Sequence, residues 1–175
     1  MVRKVEVITH DPNWSKLFRE EAEKIAAILV QEPVAVHHIG STAIPKTSAK
    51  AIIDILVEVH DIERIDEFNE EMIELGYQPK GDSGIPGRRF FVKGNDSTRT
   101  CHVHVFQTGN LEVEHHLNFR DYMIAHPQEA RAYSRLKEEL ARKYPEDIES
   151  YMKGKDGFII EMDRRAKPWK ESSRQ

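Results

Sequence analysis

Gly40, Ser41 and Thr42 form a short run of small and hydroxyl-bearing residues, and twelve residues separate Ser41 from Asp54. A phosphate group needs backbone N–H donors or hydroxyls with no bulky side chain in the way. A glycine closing a strand allows that approach, and a helix start just after it adds a positive dipole. A carboxylate on the following strand can hold a divalent metal against such a phosphate. Each feature alone is weak, because most Gly-Ser pairs are plain turns; at this spacing the two together point to a nucleotide phosphate and a metal. A site of that kind wants a second carboxylate two residues after Asp54, where the sequence has Leu56. Glu58 does not replace it. Residues i and i+4 on a strand lie roughly 13 Å apart, too far to share one ion, so Glu58 is read as a solvated residue near the strand end.

Two histidines offer a better second half. In CHVHVF (101–106), His102 and His104 alternate with Cys101, Val103 and Val105. If this strand runs beside the Asp54 strand with both apolar rows turned to the same helices, both histidines and Asp54 share the open face. An imidazole there can ligate a metal or act as a general base, and one Asp with two His is a known ligand set for Zn, Mn or Fe. The plainer reading is a half-buried histidine face bonded to its neighbours. That plainer reading is preferred for His37-His38 and His115-His116, with His38 bracing the Gly-Ser turn. Lys50, between the turn and Asp54, is placed to neutralise phosphate charge. Arg88, Arg89 and Lys93 precede the histidine strand, and alternation lets only one of Arg88 and Arg89 point inward.

The elements that must position these residues follow from periodicity. Asp11-Pro12 reads as a cap and first turn, followed by Trp14, Leu17, Phe18, Ile25, Ile28 and Leu29 at helical spacing, with an end before Pro33. VAVHHI (34–39) reads as a strand. AIIDILVEV (51–59) is a strand with Ile53, Ile55, Val57 and Val59 on one face and Ile52, Asp54, Leu56 and Glu58 on the other. Residues 61–75 read as an amphipathic helix capped by Asp61 and stopped by Gly76. RRFFVK (88–93) is a strand, Gly94-Asn95-Asp96 a turn, and CHVHVF the next strand. From 111 the pattern is helical. LEVEHHLNFRDYMIAH comes first. A second helix has Pro127 near its start, a stripe of Ala130, Tyr133, Leu136 and Leu140, and its end at Pro145. One or two shorter helices follow over 146–167, before a frayed tail, KPWKESSRQ.

Bulk properties limit the partners. The chain has 175 residues, 39% hydrophobic and 32% charged, which suits one domain with one core. It contains no long apolar run, so no membrane span is expected. The net charge of −4 argues against nucleic-acid binding through bulk charge. Cys101 is the sole cysteine and MVRKVEVITHDPNW lacks the features of a signal peptide, so a cytoplasmic location is expected. No Walker A, HExxH, G-x-S-x-G or dinucleotide-binding pattern is present.

The order apolar-Gly-Ser, spacer, Asp-apolar-x-apolar resembles the signature of DNA polymerase β-like nucleotidyltransferases, with Leu56 in place of that family's second acidic residue. Four ordered blocks, HIGSTAIP, AKAIIDILVEV, HVHVF and HLNFRDYMIAHP, resemble the GrpB family, an uncharacterised group assigned to the nucleotidyltransferase fold. The resemblance covers nearly the whole chain. It departs at Ala51, where the family usually has proline. It implies an α+β fold: a nucleotidyltransferase-like mixed β-sheet flanked by helices, with a helical C-terminal extension. The domain would span 1–175, the sheet-containing part about 1–110 and the extension about 111–168. The superfamily's third carboxylate comes from a later strand, about where His102 and His104 fall. Arg120, in the last block, would reach the cleft from the extension.

The reading taken from all this is a metal-dependent nucleotidyltransferase acting with an altered carboxylate site. Gly40, Ser41, Thr42, Lys50 and Arg120 would bind phosphate, and Asp54, His102 and His104 would carry catalysis and the metal, Mg or Mn before Zn. The expected partner is a nucleotide or a nucleotide-containing small molecule. Leu56 keeps open a non-catalytic nucleotide-binding or regulatory domain of the same fold. The Asp54-His102-His104 set keeps open a metal-dependent hydrolase.

Overall fold

The computed structural model describes residues 4–95 and 98–173. The strands are β1 (Pro33–Ile39), β2 (Ile53–Val59), β3 (Tyr77–Pro79), β4 (Arg88–Gly94) and β5 (Arg99–Gln107); the helices are α1 (Asn13–Leu29), α2 (Asn69–Leu75), α3 (Leu111–Ala125), α4 (Pro127–Lys143) and α5 (Ile148–Ser173). The strands form one sheet in the order β1-β2-β5-β4-β3. β2 and β5 run parallel and every other neighbouring pair is antiparallel, so the sheet is mixed and the chain is α+β.

The two faces of β2 explain the layering. Ile53, Ile55, Val57 and Val59 join Val103 and Val105 of β5 in one apolar cluster. Trp14, Ile25 and Leu29 of α1 and Met72 of α2 close it from outside. The opposite face carries Asp54 and Leu56 and meets α3. There Leu56, fully buried, packs with Ile39, Phe106 and Val113. A third cluster ties the helical extension together, through Tyr122 and Met123 of α3, Ala130 and Tyr133 of α4, and Met162 and Ala166 of α5; Ile44 anchors it to the loop after β1.

Several boundaries follow from caps. The Asp11 carboxylate accepts from the Asn13 N–H at 2.9 Å and starts α1. Asp61 accepts from the Glu63 N–H at 3.0 Å, and Gly76 at φ 109° ends α2. Between them the expected single helix divides into a 3₁₀ segment, Ile62–Phe68, and the short α2. The three-residue β3 has too short a pattern to be read from sequence. The stripe of α4 is also rotated from the expected one. Its buried residues are Ala130, Tyr133, Ser134 and Lys137, with Leu136 and Leu140 only partly covered.

The final segment is one helix that continues through Pro168 to Ser173, where shorter helices and a frayed tail were expected. Proline removes a backbone donor, and contacts on either side hold the turn in place. The Trp169 ring meets Tyr122 and His126 edge-on, each with centroids 5.5 Å apart, and Lys170 Nζ pairs with Asp121 at 2.6 Å. Asp96, in the expected turn after Gly94, lies outside the described residues, as do Arg174 and Gln175. No described helix is long and apolar enough to cross a membrane.

Candidate functional site

The parallel register of β2 and β5 sets Asp54 opposite His102 and Leu56 opposite His104. Side chains at paired positions point the same way, so Asp54 and both histidines meet on the α3 side of the sheet. His102 Nδ1 and His104 Nε2 each lie 3.5 Å from the same oxygen, Asp54 Oδ1. Burial opposes the charge on Asp54, but the two imidazoles beside it outweigh burial and hold the carboxyl well below the usual carboxylate range.

The orientation of His104 is fixed from behind. Arg88 Nη1 lies 3.3 Å from His104 Nδ1. A guanidinium only donates, so Nδ1 accepts and Nε2 carries the proton toward Asp54. Arg88 is itself anchored, donating through Nε to the Asp82 carbonyl at 3.1 Å and through Nη2 to the Ser83 carbonyl at 3.1 Å. Arg89 turns to the other face and pairs with Asp66 at 2.9 Å, as strand alternation requires. His102 Nε2 is buried and makes no hydrogen bond.

The Gly-Ser turn lies directly against Asp54. Gly40 has φ +74°, and a Cβ at this position would fall 2.6 Å from Asp54 Oδ2. Only glycine serves both the backbone conformation and the contact. Ser41, Thr42 and Ala43 form a 3₁₀ turn, too short for a helix N-terminus to count as a site by itself. His38 Nε2 bonds Thr42 Oγ1 at 2.9 Å while its ring stacks on Phe18 at 4.7 Å. That is the bracing role expected of it. Burial pulls His38 down to about 4, with Arg120 and His10 acting in the same sense against Asp54.

One cavity of about 540 Å³ opens between this face of the sheet and the helical extension, within the roughly 300–1,000 Å³ typical of small-ligand sites. Gly40, Ser41, Thr42, Lys50, Asp54, His102 and His104 all line it. Arg120 does not. Its Nη1 donates to the His38 carbonyl at 3.1 Å and its Nε to Asp121 at 3.0 Å, so it ties α3 to the end of β1 instead of reaching the cavity. Glu58 is also engaged elsewhere, with His37 Nε2 at 2.7 Å.

The helical wall adds residues that sequence reasoning did not select. Lys137 of α4, Lys155 and Tyr151 of α5, Tyr133 of α4, and His116 of α3 line the cavity. Burial pulls His116 down to about 4, helped by His104 and Arg88. The Tyr133 hydroxyl is in hydrogen-bond contact with Ser41, and burial pushes it up to about 12. The available signal was phase. Ala130, Tyr133 and Lys137 recur three and four residues apart, which places a lysine on the inner face of α4.

The metal expectation meets a mismatch. Leu56 fills the place of a second carboxylate with buried apolar packing. His104 presents a proton, not a lone pair, to Asp54. Among the described residues, no group of three or more His, Cys, Asp or Glu side chains is arranged to hold a metal ion. As they stand, Asp54, His102 and His104 form a hydrogen-bonded cluster in which His104 turns an N–H, and not a lone pair, toward the carboxylate.

Comparison with known proteins adds a family. The model described as "GrpB protein" matches residues 4–165. The UPF0157 protein YqkA of Bacillus subtilis is 47% identical over 97% of this chain, and the chain spans 49% of that protein's length. The crystal structure of the conserved protein GrpB from Enterococcus faecalis is 41% identical, with a TM-score of 0.89 over 92% of this chain and 96% of that one. The structure of Cid1 in complex with the UTP analog UMPNPP aligns at 12% identity with a TM-score of 0.44, over 75% of this chain and 44% of that one, a likeness that carries no argument.

Proposed function

Taking as premise that the chain belongs to the GrpB family, we propose that it binds a nucleotide, or a small molecule containing one, with its phosphates in the cavity between sheet and helical extension. The observation that carries this reading is the convergence on one cavity of the Gly40-Ser41-Thr42 turn, Lys50, and the Asp54 cluster. Backbone N–H groups of the turn and the Ser41 hydroxyl would receive phosphate oxygens. Lys50 would offset their charge. Asp54, held ionised by its imidazoles, would repel a phosphate directly opposite it. It therefore suits a ligand hydroxyl or amino group, with the buried Nε2 of His102 as a further acceptor.

This reading separates binding from transfer. Metal-dependent nucleotidyl transfer, which the family resemblance suggested, calls for a second carboxylate that Leu56 does not supply. The protonated face of His104 likewise weighs against the hydrolase alternative. Turnover of any nucleoside triphosphate that disappears in Asp54→Asn would favour transfer over binding alone.

The binding reading is tested by mapping. Addition of nucleoside triphosphates to ¹⁵N-labelled protein should shift the amide signals of Gly40, Ser41 and Thr42. The signals of Glu21, Tyr77 and Lys93, a hydrogen-bonded network on the far face of the sheet, should stay in place. Shifts confined to other surfaces would reject the reading.

A further inference from the structure

The helical wall of the cavity holds a feature that neither the Gly-Ser turn nor the Asp54 cluster explains. Lys137 is 1% exposed, and among the described residues its Nζ has no hydrogen-bond partner. It lies over a ring instead, with Nζ 4.3 Å from the centroid of Tyr133. Lys155, 8% exposed, sits 4.8 Å over the Tyr151 ring, and Lys50 approaches the same ring at 5.2 Å. Tyr151 is fully buried, and its hydroxyl also has no hydrogen-bond partner among the described residues. All of these residues line the cavity.

Lys137 and Lys155 thus lie on one wall of the cavity, Lys137 attracted by Glu138 and Lys155 by Asp54 and Asp156. Glu138, the acid nearest in chain to Lys137, already accepts from Ser48 Oγ at 2.7 Å. A buried lysine head group with no acceptor is costly to charge, and a buried hydroxyl with no partner adds a desolvation cost of its own. The aromatic rings offset only a part of this. Where a fold keeps such groups together facing a cavity, the missing partner is an anion from outside.

We propose that Lys137, Lys155 and the Tyr151 hydroxyl form an anion-binding subsite in the helical wall, separate from the Gly-Ser turn, that takes a phosphate group of the ligand. The subsite rests on the nucleotide reading for the identity of the whole ligand, but not for its own chemistry. It would engage the end of a phosphate chain whose other end meets the turn, drawing α4 and α5 toward the sheet. A carboxylate could meet the same ammonium groups, so the test separates the two anions.

The native protein is titrated calorimetrically with inorganic tripolyphosphate, with pyrophosphate and with citrate, and the same titrations are repeated on Lys137→Met and Lys155→Met. The account expects the polyphosphates to bind, with each substitution weakening them at least tenfold while circular dichroism stays native. Citrate binding that depends on Lys137, without polyphosphate binding, would overturn the phosphate assignment. Polyphosphate affinities equal in native and both variant proteins, or no binding of polyphosphate or citrate by the native protein, would overturn the subsite. The outcome is distinct from that of the nucleotide reading. Nucleotide binding indifferent to Lys137→Met removes the subsite alone, whereas tripolyphosphate binding that needs Lys137, in a protein that ignores nucleotides, removes the nucleotide alone.

Discussion

The residues of the cavity divide into those that neighbours satisfy and those without a hydrogen-bond partner among the described residues. Asp54, His104 and Arg88 form a chain in which each donor has an acceptor. Lys137 is the opposite case. Burial, with repulsion from Lys155 and Lys50 against the pull of Glu138, draws it down to about 6. Between about pH 6 and 10 the unfolded chain therefore binds a proton that the folded protein does not. Stability accordingly rises with pH across that window and is lost as pH falls toward 6. Lys137→Met removes the linkage. Its thermal melts should show a flatter pH dependence from 6 to 10 and a melting temperature several degrees above native at pH 7; an unchanged slope would show that Lys137 is not the group responsible. A substitution that stabilises the free protein while weakening anion binding is the signature of a residue kept for a ligand. At this scale the sheet side of the site was legible: two-residue alternation plus a parallel neighbour suffices to bring Asp54, His102 and His104 together. Lys137 was not, because a lysine among polar helix positions reads as surface until the phase of α4 is known. Arg120 was misplaced for a related reason: its position in a family-like block says nothing about which way its side chain turns.

Among the elements, β2 carries the most consequence. Its far face is divided by α3, which leaves Asp54 open to the cavity and seals Leu56 with Ile39, Phe106 and Val113. Leu56 therefore commits that position to packing. Leu56→Asp should destabilise the protein by about 3 kcal/mol or more, through lost apolar burial and an unpaired buried charge. Denaturant unfolding measures this, and a loss below about 1 kcal/mol would mean that the position tolerates the carboxylate. Strands β1, β2, β4 and β5 and helices α1, α3 and α4 were legible, the strands from their residue types and bounding turns and α1 from its helical spacing and the Asp11 cap, although the stripe of α4 was rotated. The rest depended on contacts that no local window contains. The three residues of β3 take strand form by pairing with β4, and α5 passes Pro168 because Trp169 and Lys170 are held by α3.

On the scale of the whole molecule, the sheet and the helical extension are two walls of one cavity. The sheet contributes the Gly-Ser turn, the carboxylate and the imidazoles, and α4 and α5 contribute Lys137 and Lys155. The α+β class and the family were readable from ordered sequence blocks; the cavity was not, because it exists only where distant segments face each other. The central claim is that this cavity holds the phosphates of a nucleotide. It is tested most directly by calorimetric titration of the native protein and of Gly40→Ala with each of the four ribonucleoside triphosphates, with and without Mg²⁺. At Gly40 a methyl group would displace Asp54 and strain a positive-φ backbone. The account predicts one-to-one binding of at least one triphosphate to the native protein, weakened at least tenfold in folded Gly40→Ala; absence of binding for all four, in either condition, would contradict it.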